Sequence, residues 1–561
     1  MLVAIAIKVE VVAVSRLCRR LLAIATIATV AMLSFAMLPG MARAAGTGAI
    51  TVDGTVATRY DAYQLFSATV VDDADADQKV ATDVAWANDT VRQAALPVLH
   101  DAGLDNSAST AQEAAEWMNG DGHMTTALAT KLARAICRSG VPSVALNAGT
   151  VADLPSGYWL IVADDDAIAQ GEAGTAPIMA LVGGSAVTVK PKAATPKVAK
   201  HVLEDSTAAW QKAADATVAD DLYWRLSATV PAGLTAYDTY TVRFVDTMGA
   251  GLDPSKVAES MRVYVAAGAD GGFDAVSAGE DGRVGTEPAK GWTDITAQCG
   301  VSVDGKTFTV RTGDLIAALG GADAFTAGAR VVAVYNAPLN SACNHGIAKG
   351  NPNEVYLRYP RSPFADQSGD AGFTRTPSDD ACAYTWGLSL IKRSSSDDKP
   401  LAGAKLRIID DRGRILTTDG SWSTDADACI TTDADGHVEL SGVDAGVYTV
   451  EEIAAPKGYT AFEGKRTVTV TAEGLDVKQV ATAKPKVTVS VESPLRVDTA
   501  DARTGSIELS VLNTPSKEAG RGFMPSTGDR TLVLVAVLAA IGVAAIVVAL
   551  VIKRGGGRRE I

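Results

Sequence analysis

The sequence predicts a mainly β protein: tandem β-sandwich domains, the first with helical insertions, between an apolar N-terminal leader and one apolar C-terminal helix. Three observations predict it. Short stretches with an apolar residue at every second position recur through most of the chain, separated by Gly, Pro and Asp turns, as strands with one buried face do. Apolar spacing near the helical period is confined to one early region. Long uninterrupted apolar runs occur only near the two ends.

At the N-terminus, Arg16, Arg19 and Arg20 precede the apolar stretch Leu21 to Leu38, and Ala42 and Ala44 form an A-x-A cleavage pattern. Residues 1–44 are therefore expected to be a secretory signal peptide, with an unusually long segment before Arg16 and a mature chain from Ala45. At the other end, Leu532 to Ile552 is long enough to cross a ~30 Å hydrocarbon core as a helix. Lys553, Arg554, Arg558 and Arg559 follow it and would hold its C-terminus in the cytoplasm.

Between these ends lie about 480 residues, room for three or four domains. Residues 45–193 open with the strand-like "GAITVDGTV" and "RYDAYQLFSATVV". Three helical patterns follow: "DVAWANDTVRQAALPVLHDAGL", "TAQEAAEWMNG" and "TTALATKLARAICRSG". Strands return at "SGYWLIVADD", "APIMALVGG" and "AVTVKP". Residues 194–385 alternate throughout, from "YWRLSATVP" to "CAYTWGL", as an all-β sandwich does. Residues 386–516 repeat the pattern more compactly, and residues 517–561 hold a polar lead, the C-terminal helix and the basic tail.

The formal net charge of -14 argues against a nucleic-acid partner, which calls for clustered Lys and Arg. Cys137, Cys299, Cys343, Cys382 and Cys429 follow the leader. An exported chain permits disulfides, and Cys343–Cys382 is the expected pair. His100, His123, His201, His345 and His437 have no metal-ligand spacing, and neither a cofactor nor a metal is implied. The sequence has no convergent catalytic set, so an enzyme is not expected. Asp105-x-Ser107-x-Ser109 matches a metal-adhesion pattern, but it reads as a turn, with Ser109 and Gln112 capping the next helix. Asp72, Asp73, Asp75 and Asp77 read as a solvated loop, and "TTDADGHVEL" as a hairpin turn.

Just before the apolar C-terminal run stands Met524-Pro525-Ser526-Thr527-Gly528. The peptide, the helix and the basic tail together resemble the LPXTG cell-wall sorting signal of Gram-positive surface proteins, with Met524 in place of Leu. The resemblance implies that sortase, a membrane transpeptidase, cleaves between Thr527 and Gly528 and passes the acyl end to an amine. Upstream, Val187-x-Val189-Lys190-Pro191-Lys192 resembles the pilin motif of sortase-assembled pili, V-x-V-Y-P-K-N. By that resemblance Lys192 is the accepting nucleophile. Lys190 stands where the motif has an aromatic residue and Ala193 where it has Asn, so Lys190 and Lys197 remain alternatives.

Two further sets of residues carry the same resemblance. "TPKVAKHV", "YTVRFVDTMGAGL" and "NPNEVYLRYP" resemble the isopeptide-forming middle domain of these pilins, implying Lys200 as amine, Asp246 as acid and Asn353 as carboxamide. Asn340, Asn344 and Asn351 lie close by, and the choice of Asn353 rests on the N-x-V-x-L-x-Y match. "LIKRSSSDDKPLAGAKLRI", "YTVEEIAAPKGY" and "SVLNTP" resemble the prealbumin-like, collagen-adhesin B-type domain, implying Lys392, Glu452 and Asn513. In each sandwich an apolar core would strip the lysine of its proton and keep the acid protonated, so that a neutral amine attacks the Asn carbonyl and ammonia leaves. The first domain, with only Lys79 and Lys131 before Lys190, is expected to form no such bond.

The family resembled is the SpaA-type backbone pilin, with Ig-like or prealbumin-like sandwiches. It implies a fimbrial shaft subunit at the cell surface, whose partners are sortase, other pilin subunits and peptidoglycan, with a host or matrix ligand as a further partner. The alternatives are an ancillary or basal pilin, or a monomeric wall-anchored adhesin.

Overall fold

The computed structural model describes residues 46–516, apart from 74–77, 192–194, 232–233, 269–271, 280–281, 326–328 and 419. The expected signal peptide, the sorting peptide, the C-terminal apolar run and Lys192 lie outside the described residues. Among the described residues, no helix is long and apolar enough to cross a membrane. The protein is mainly β, and it divides into two compact units.

The first unit comprises residues up to Asn344, Gly350–Tyr384 and Gly474–Lys484. Its early part has a three-stranded sheet, in the order Val151–Pro155, Thr47–Val52, Val187–Val189, and a five-stranded sheet built on the long strand Arg59–Asp73. Ile50, Tyr60, Leu154, Trp159 and Val182 share the core that these strands build. The three helices, Asp89–Asp101, Ala111–Met118 and Thr126–Arg138, arrive as one insertion between the strands Gln78–Trp86 and Val144–Asn147. They bury Val91, Leu99, Leu128, Leu132 and Ile136 with Leu65 and Phe66 of the long strand.

Two local expectations are corrected here. The first helix begins at Asp89, capped by the Asn88 side chain accepting from Val91 N at 2.9 Å; the residues from Asp83 to Trp86 end a strand instead. Pairing with Phe66 and Ser67 there outweighs the helical spacing. The next helix is capped by Thr110 with Glu113 rather than by Ser109 with Gln112. One Glu113 oxygen accepts from both Ser109 N and Thr110 N, satisfying backbone donors that the helix start leaves open.

The rest of this unit is a two-sheet sandwich. One sheet runs Ala209–Gln211, Val198–Glu204, Tyr223–Thr229, Arg330–Asn336, Arg262–Ala266, Thr293–Asp294. The other runs Ala213–Asp215, Asp379–Tyr384, Asn351–Pro360, Arg243–Met248, Thr307–Arg311, Gly300–Asp304. Trp224, Leu226, Phe244, Phe308, Val331, Val355 and Leu357 close the core between them. The helical insertion is tied to this sandwich: Arg134 donates to the carbonyl of Pro363 at 2.7 Å and pairs with Asp238. Tyr359 also donates to Gly171 O at 2.7 Å.

The second unit comprises His345–Lys349, Thr385–Glu473 and the described residues from Pro485. It too is a sandwich. One sheet runs His437–Val443, Trp386–Ser394, Ser506–Pro515, Tyr459–Thr460, with Leu495–Asp501 also on Ser506–Pro515. The facing sheet is built on Lys405–Ile409, Gly446–Ala454, Lys465–Glu473 and Lys486–Val491. The first and last strands of this unit pair in parallel, Lys392 opposite Val511 and Ser394 opposite Asn513. The expected hairpin turn is present, with Gly436 at φ 75°. A Cβ there would come within 2.7 Å of the Lys392 carbonyl, so the turn lies flat on the strand that carries Lys392.

All five described cysteines are free, Cys343 and Cys382 included. Cys382 lies buried on a strand, its thiol over the backbone of Gly350, where a Cβ would sit 2.5 Å from the sulfur. Cys343 sits in the turn that closes on Asn340 O.

Candidate functional site

Alternation places Lys200 on the inner face of the middle sandwich. Its strand, Val198–Glu204, becomes wholly buried toward its end. Asp246 and Asn353 come from the facing sheet, on neighbouring antiparallel strands. Asp246 lies opposite Val355 and Met248 opposite Asn353, so the two side chains are diagonal neighbours on one face. All three residues have no exposed surface. The ammonium of Lys200 pairs with Asp246 Oδ2 and donates to the Tyr335 hydroxyl at 2.9 Å. Tyr335 in turn donates to Asp246 Oδ2 at 3.1 Å, and Asn353 Nδ2 donates to Tyr335 at 2.8 Å.

The electrostatics follow from burial. Desolvation pulls the Lys200 pKa down to about 8, against the attraction of Asp246. It pushes the Asp246 carboxyl up, against the pull of Lys200. Asp246 Oδ1 and Asn353 Oδ1 are both buried without a hydrogen-bond partner. Two orphan acceptors in one core are costly, and a proton on Asp246 would supply the donor that they lack. Lys212 fixes the strand from outside the cluster: it donates to Lys200 O at 2.8 Å and pairs with Asp379, which accepts from Lys200 N at 2.6 Å.

The C-terminal sandwich assembles the same residue types differently. Lys392 and Asn513 share one sheet, on the parallel first and last strands, while Glu452 reaches them from the facing sheet. Lys392 Nζ lies 3.0 Å from Glu452 Oε1, both side chains fully buried. The same oxygen accepts from Asn513 Nδ2 at 2.7 Å. Glu452 Oε2 is held by the backbone N–H of Phe462 at 3.0 Å, and the Phe462 ring lies 5.1 Å from the amine. Burial lowers the Lys392 pKa to about 8, against Glu452. Lys392 Nζ makes no well-aligned hydrogen bond, and Asn513 Oδ1 has no partner.

Thus the six residues expected from the sequence meet in two clusters, each with an amine, an acid and a carboxamide in a dry core. The competing asparagines are otherwise engaged. Asn351 bonds to Asn344 O and Ala383 O, Asn344 to Gly350 O, and Asn340 to Ala250 O and Leu252 O. In the N-terminal part, buried Lys79 meets the carbonyls of Gly183 and Ser185 rather than a carboxamide. Of the pilin-like motif, Val187–Val189 pairs in parallel with the first strand, and Lys190 lies 3.6 Å from Asp53 with its side chain 71% exposed.

Sequence reasoning missed Tyr335. Its strand, Arg330–Asn336, is buried at every position, so a tyrosine there reads as core packing. The available signal was the hydroxyl, because a buried Tyr O–H needs a partner.

Residues 387–485 match the family model of the SpaA prealbumin-like fold domain. That stretch carries Lys392 and Glu452 of the C-terminal cluster, and Asn513 lies beyond it. Over 134 residues the chain is 27% identical to the trypsin-resistant surface T6 protein of Streptococcus pyogenes serotype M6, spanning 22% of this chain and 23% of that relative's length. Among solved structures, it is similar to the T6 backbone pilin of serotype M6 Streptococcus pyogenes, at 15% identity and TM-score 0.46, covering 85% of this chain and 99% of that one. It is also similar to the major pilin SpaA of Corynebacterium diphtheriae, at 13% identity and TM-score 0.37, covering 83% and 100%.

Proposed function

We propose that the protein is a backbone pilin, a structural subunit with no turnover activity, joined covalently to its neighbours by sortase and attached at last to peptidoglycan. The observation that carries this reading is the pair of buried lysine–acid–asparagine clusters in successive sandwiches, the lysine and acid of the second lying within the stretch that matches the SpaA prealbumin-like domain. In each, the neutral amine attacks the Asn carbonyl carbon beside the acid, ammonia departs and an amide remains. Lys200 becomes joined to Asn353 and Lys392 to Asn513. Between subunits, the acyl group of Thr527 passes to Lys192 of the next copy, so tension enters at Lys192 and leaves at Thr527. The name of the T6 relative, a trypsin-resistant protein, fits sandwiches closed by such bonds.

Two measurements test the reading. The intact mass of the exported chain should fall by one ammonia for each of two bonds, and an unmodified mass discards the internal cross-links. Cell-wall extracts should give a ladder of covalent multimers that Lys192→Ala abolishes. A persistent ladder moves the acceptor to Lys190 or Lys197, and a parent with no ladder leaves a monomeric wall-anchored adhesin.

A further inference from the structure

We propose that Tyr335 is a catalytic residue of the middle-domain cross-linking reaction, its hydroxyl relaying the proton that must pass from the Lys200 amine to the departing ammonia. This rests on the isopeptide reading above and deepens it. When neutral Lys200 Nζ bonds to the Asn353 carbonyl carbon, that nitrogen carries a surplus proton and a positive charge. When the bond from that carbon to Nδ2 breaks, the leaving NH2 needs one proton to depart as ammonia. The proton must therefore cross from Nζ to Nδ2, and both atoms are bonded to the other partner, the carbon, at that moment.

The Tyr335 oxygen stands between them, 2.9 Å from Nζ and 2.8 Å from Nδ2. It accepts from both before reaction, while its own proton is given to Asp246 Oδ2 at 3.1 Å. Once the carbonyl carbon is attacked, Nδ2 becomes tetrahedral and gains a lone pair. The phenol proton can then turn to Nδ2 as the Nζ proton arrives at the phenol oxygen. The tyrosine begins and ends neutral, atoms and charges balance, and Asp246 keeps its own proton for the developing oxyanion. Burial raises the phenol far above its usual pKa, so the passage is concerted, without a free phenolate. The ring is held by an edge contact to Phe308, centroids 4.8 Å apart, which fixes the hydroxyl. In the C-terminal cluster, among the described residues, no hydroxyl takes this place: Asn513 Nδ2 and Lys392 Nζ both face Glu452 Oε1, so there the carboxylate itself must carry the proton across.

The test is the rate of cross-linking in the exported chain, made by pulsed cell-free synthesis and followed as the Lys200–Asn353 peptide by mass spectrometry. The Lys392–Asn513 peptide of the same molecules serves as internal clock. Tyr335→Phe keeps the ring and removes the hydroxyl. It should slow the middle bond by about a hundredfold, within the range of a lost proton-transfer group, and leave the C-terminal bond unchanged. An unchanged middle rate in a protease-resistant Y335F chain overturns the relay. Should Y335F fail to fold, 3-fluorotyrosine at position 335 is nearly isosteric with a more acidic phenol, and a middle rate indifferent to it overturns the relay equally. A parent chain with no Lys200–Asn353 bond sinks the isopeptide reading of this domain instead, which separates the two failures.

Discussion

The two clusters use the same three kinds of residue in opposite geometries. In the middle sandwich the amine stands on one sheet and both the acid and the carboxamide on the other, so a bond would staple the two sheets through the core. In the C-terminal sandwich amine and carboxamide are carried by adjacent parallel strands and only the acid crosses the core, so a bond would weld the first strand to the last. The difference teaches that a dry triad of amine, acid and carboxamide can be assembled by either route across the core, and the proposed chemistry asks for no more than that. It also separates the surroundings: the middle cluster is hydroxyl-bridged and backed by Trp224 and Tyr335, each 5.4 Å from the amine, whereas in the C-terminal one the Phe462 ring covers the amine at 5.1 Å.

The largest expected effect is Asp246→Ala. It strands Lys200 in the core without its acid, a cost of about 3–5 kcal/mol, and removes a tie that closes a loop on the order of 100 residues, about 4.7 kcal/mol. Denaturant unfolding of the exported chain should show the middle transition collapse while the C-terminal one stays. Coupled loss of both transitions would break the picture of two independent clusters.

Next, Asn513→Ala leaves Lys392 beside Glu452 and removes only the weld. A loss of about 4–5 kcal/mol is expected, with the C-terminal sandwich becoming fully extensible under single-molecule tension. A variant as inextensible as the parent would mean that no bond joins these strands.

The same variant sharpens the comparison through pH. In it Lys392 remains an amine whose folded pKa, about 8, lies below the ordinary 10.5. Between those values the unfolded chain binds the extra proton, so stability climbs as pH rises from 8 to 10.5, by roughly 3 kcal/mol at most. If the proposed bond forms, that nitrogen is an amide in the parent and this contribution vanishes. Melting both proteins across the window should give a rising curve only for N513A. The smallest effect is Phe462→Leu in that background, which removes the aromatic face over the ammonium and should cost about 1 kcal/mol at pH 7.

Much of this was legible in the residues. Alternation gave the strands, and lysine, acid and asparagine recur in the same order on alternating stretches of two domains. Glu452 and Asn353 could be picked out only through the resemblance of "YTVEEIAAPKGY" and "N-x-V-x-L-x-Y" to pilin motifs. Where local patterns compete, reading fails: Asp83 to Trp86 carries helical spacing, yet pairing with the Arg59–Asp73 strand claims it. Cys343–Cys382 is the pair expected from the sequence, yet both cysteines are free. Tyr335 was hidden because a tyrosine in an entirely buried strand differs from a phenylalanine only in what lies across the core.

By itself, the sequence determined the β architecture and the helical insertion, because alternation is a local property of the chain; the six clustered residues were named through motifs that resemble those of pilin domains. The tertiary structure decided which sheet carries each partner, that Lys392 and Asn513 lie side by side, and that one phenol touches the whole middle cluster. Those outcomes depend on parallel and antiparallel pairings between strands far apart in the chain, which no short stretch of residues encodes.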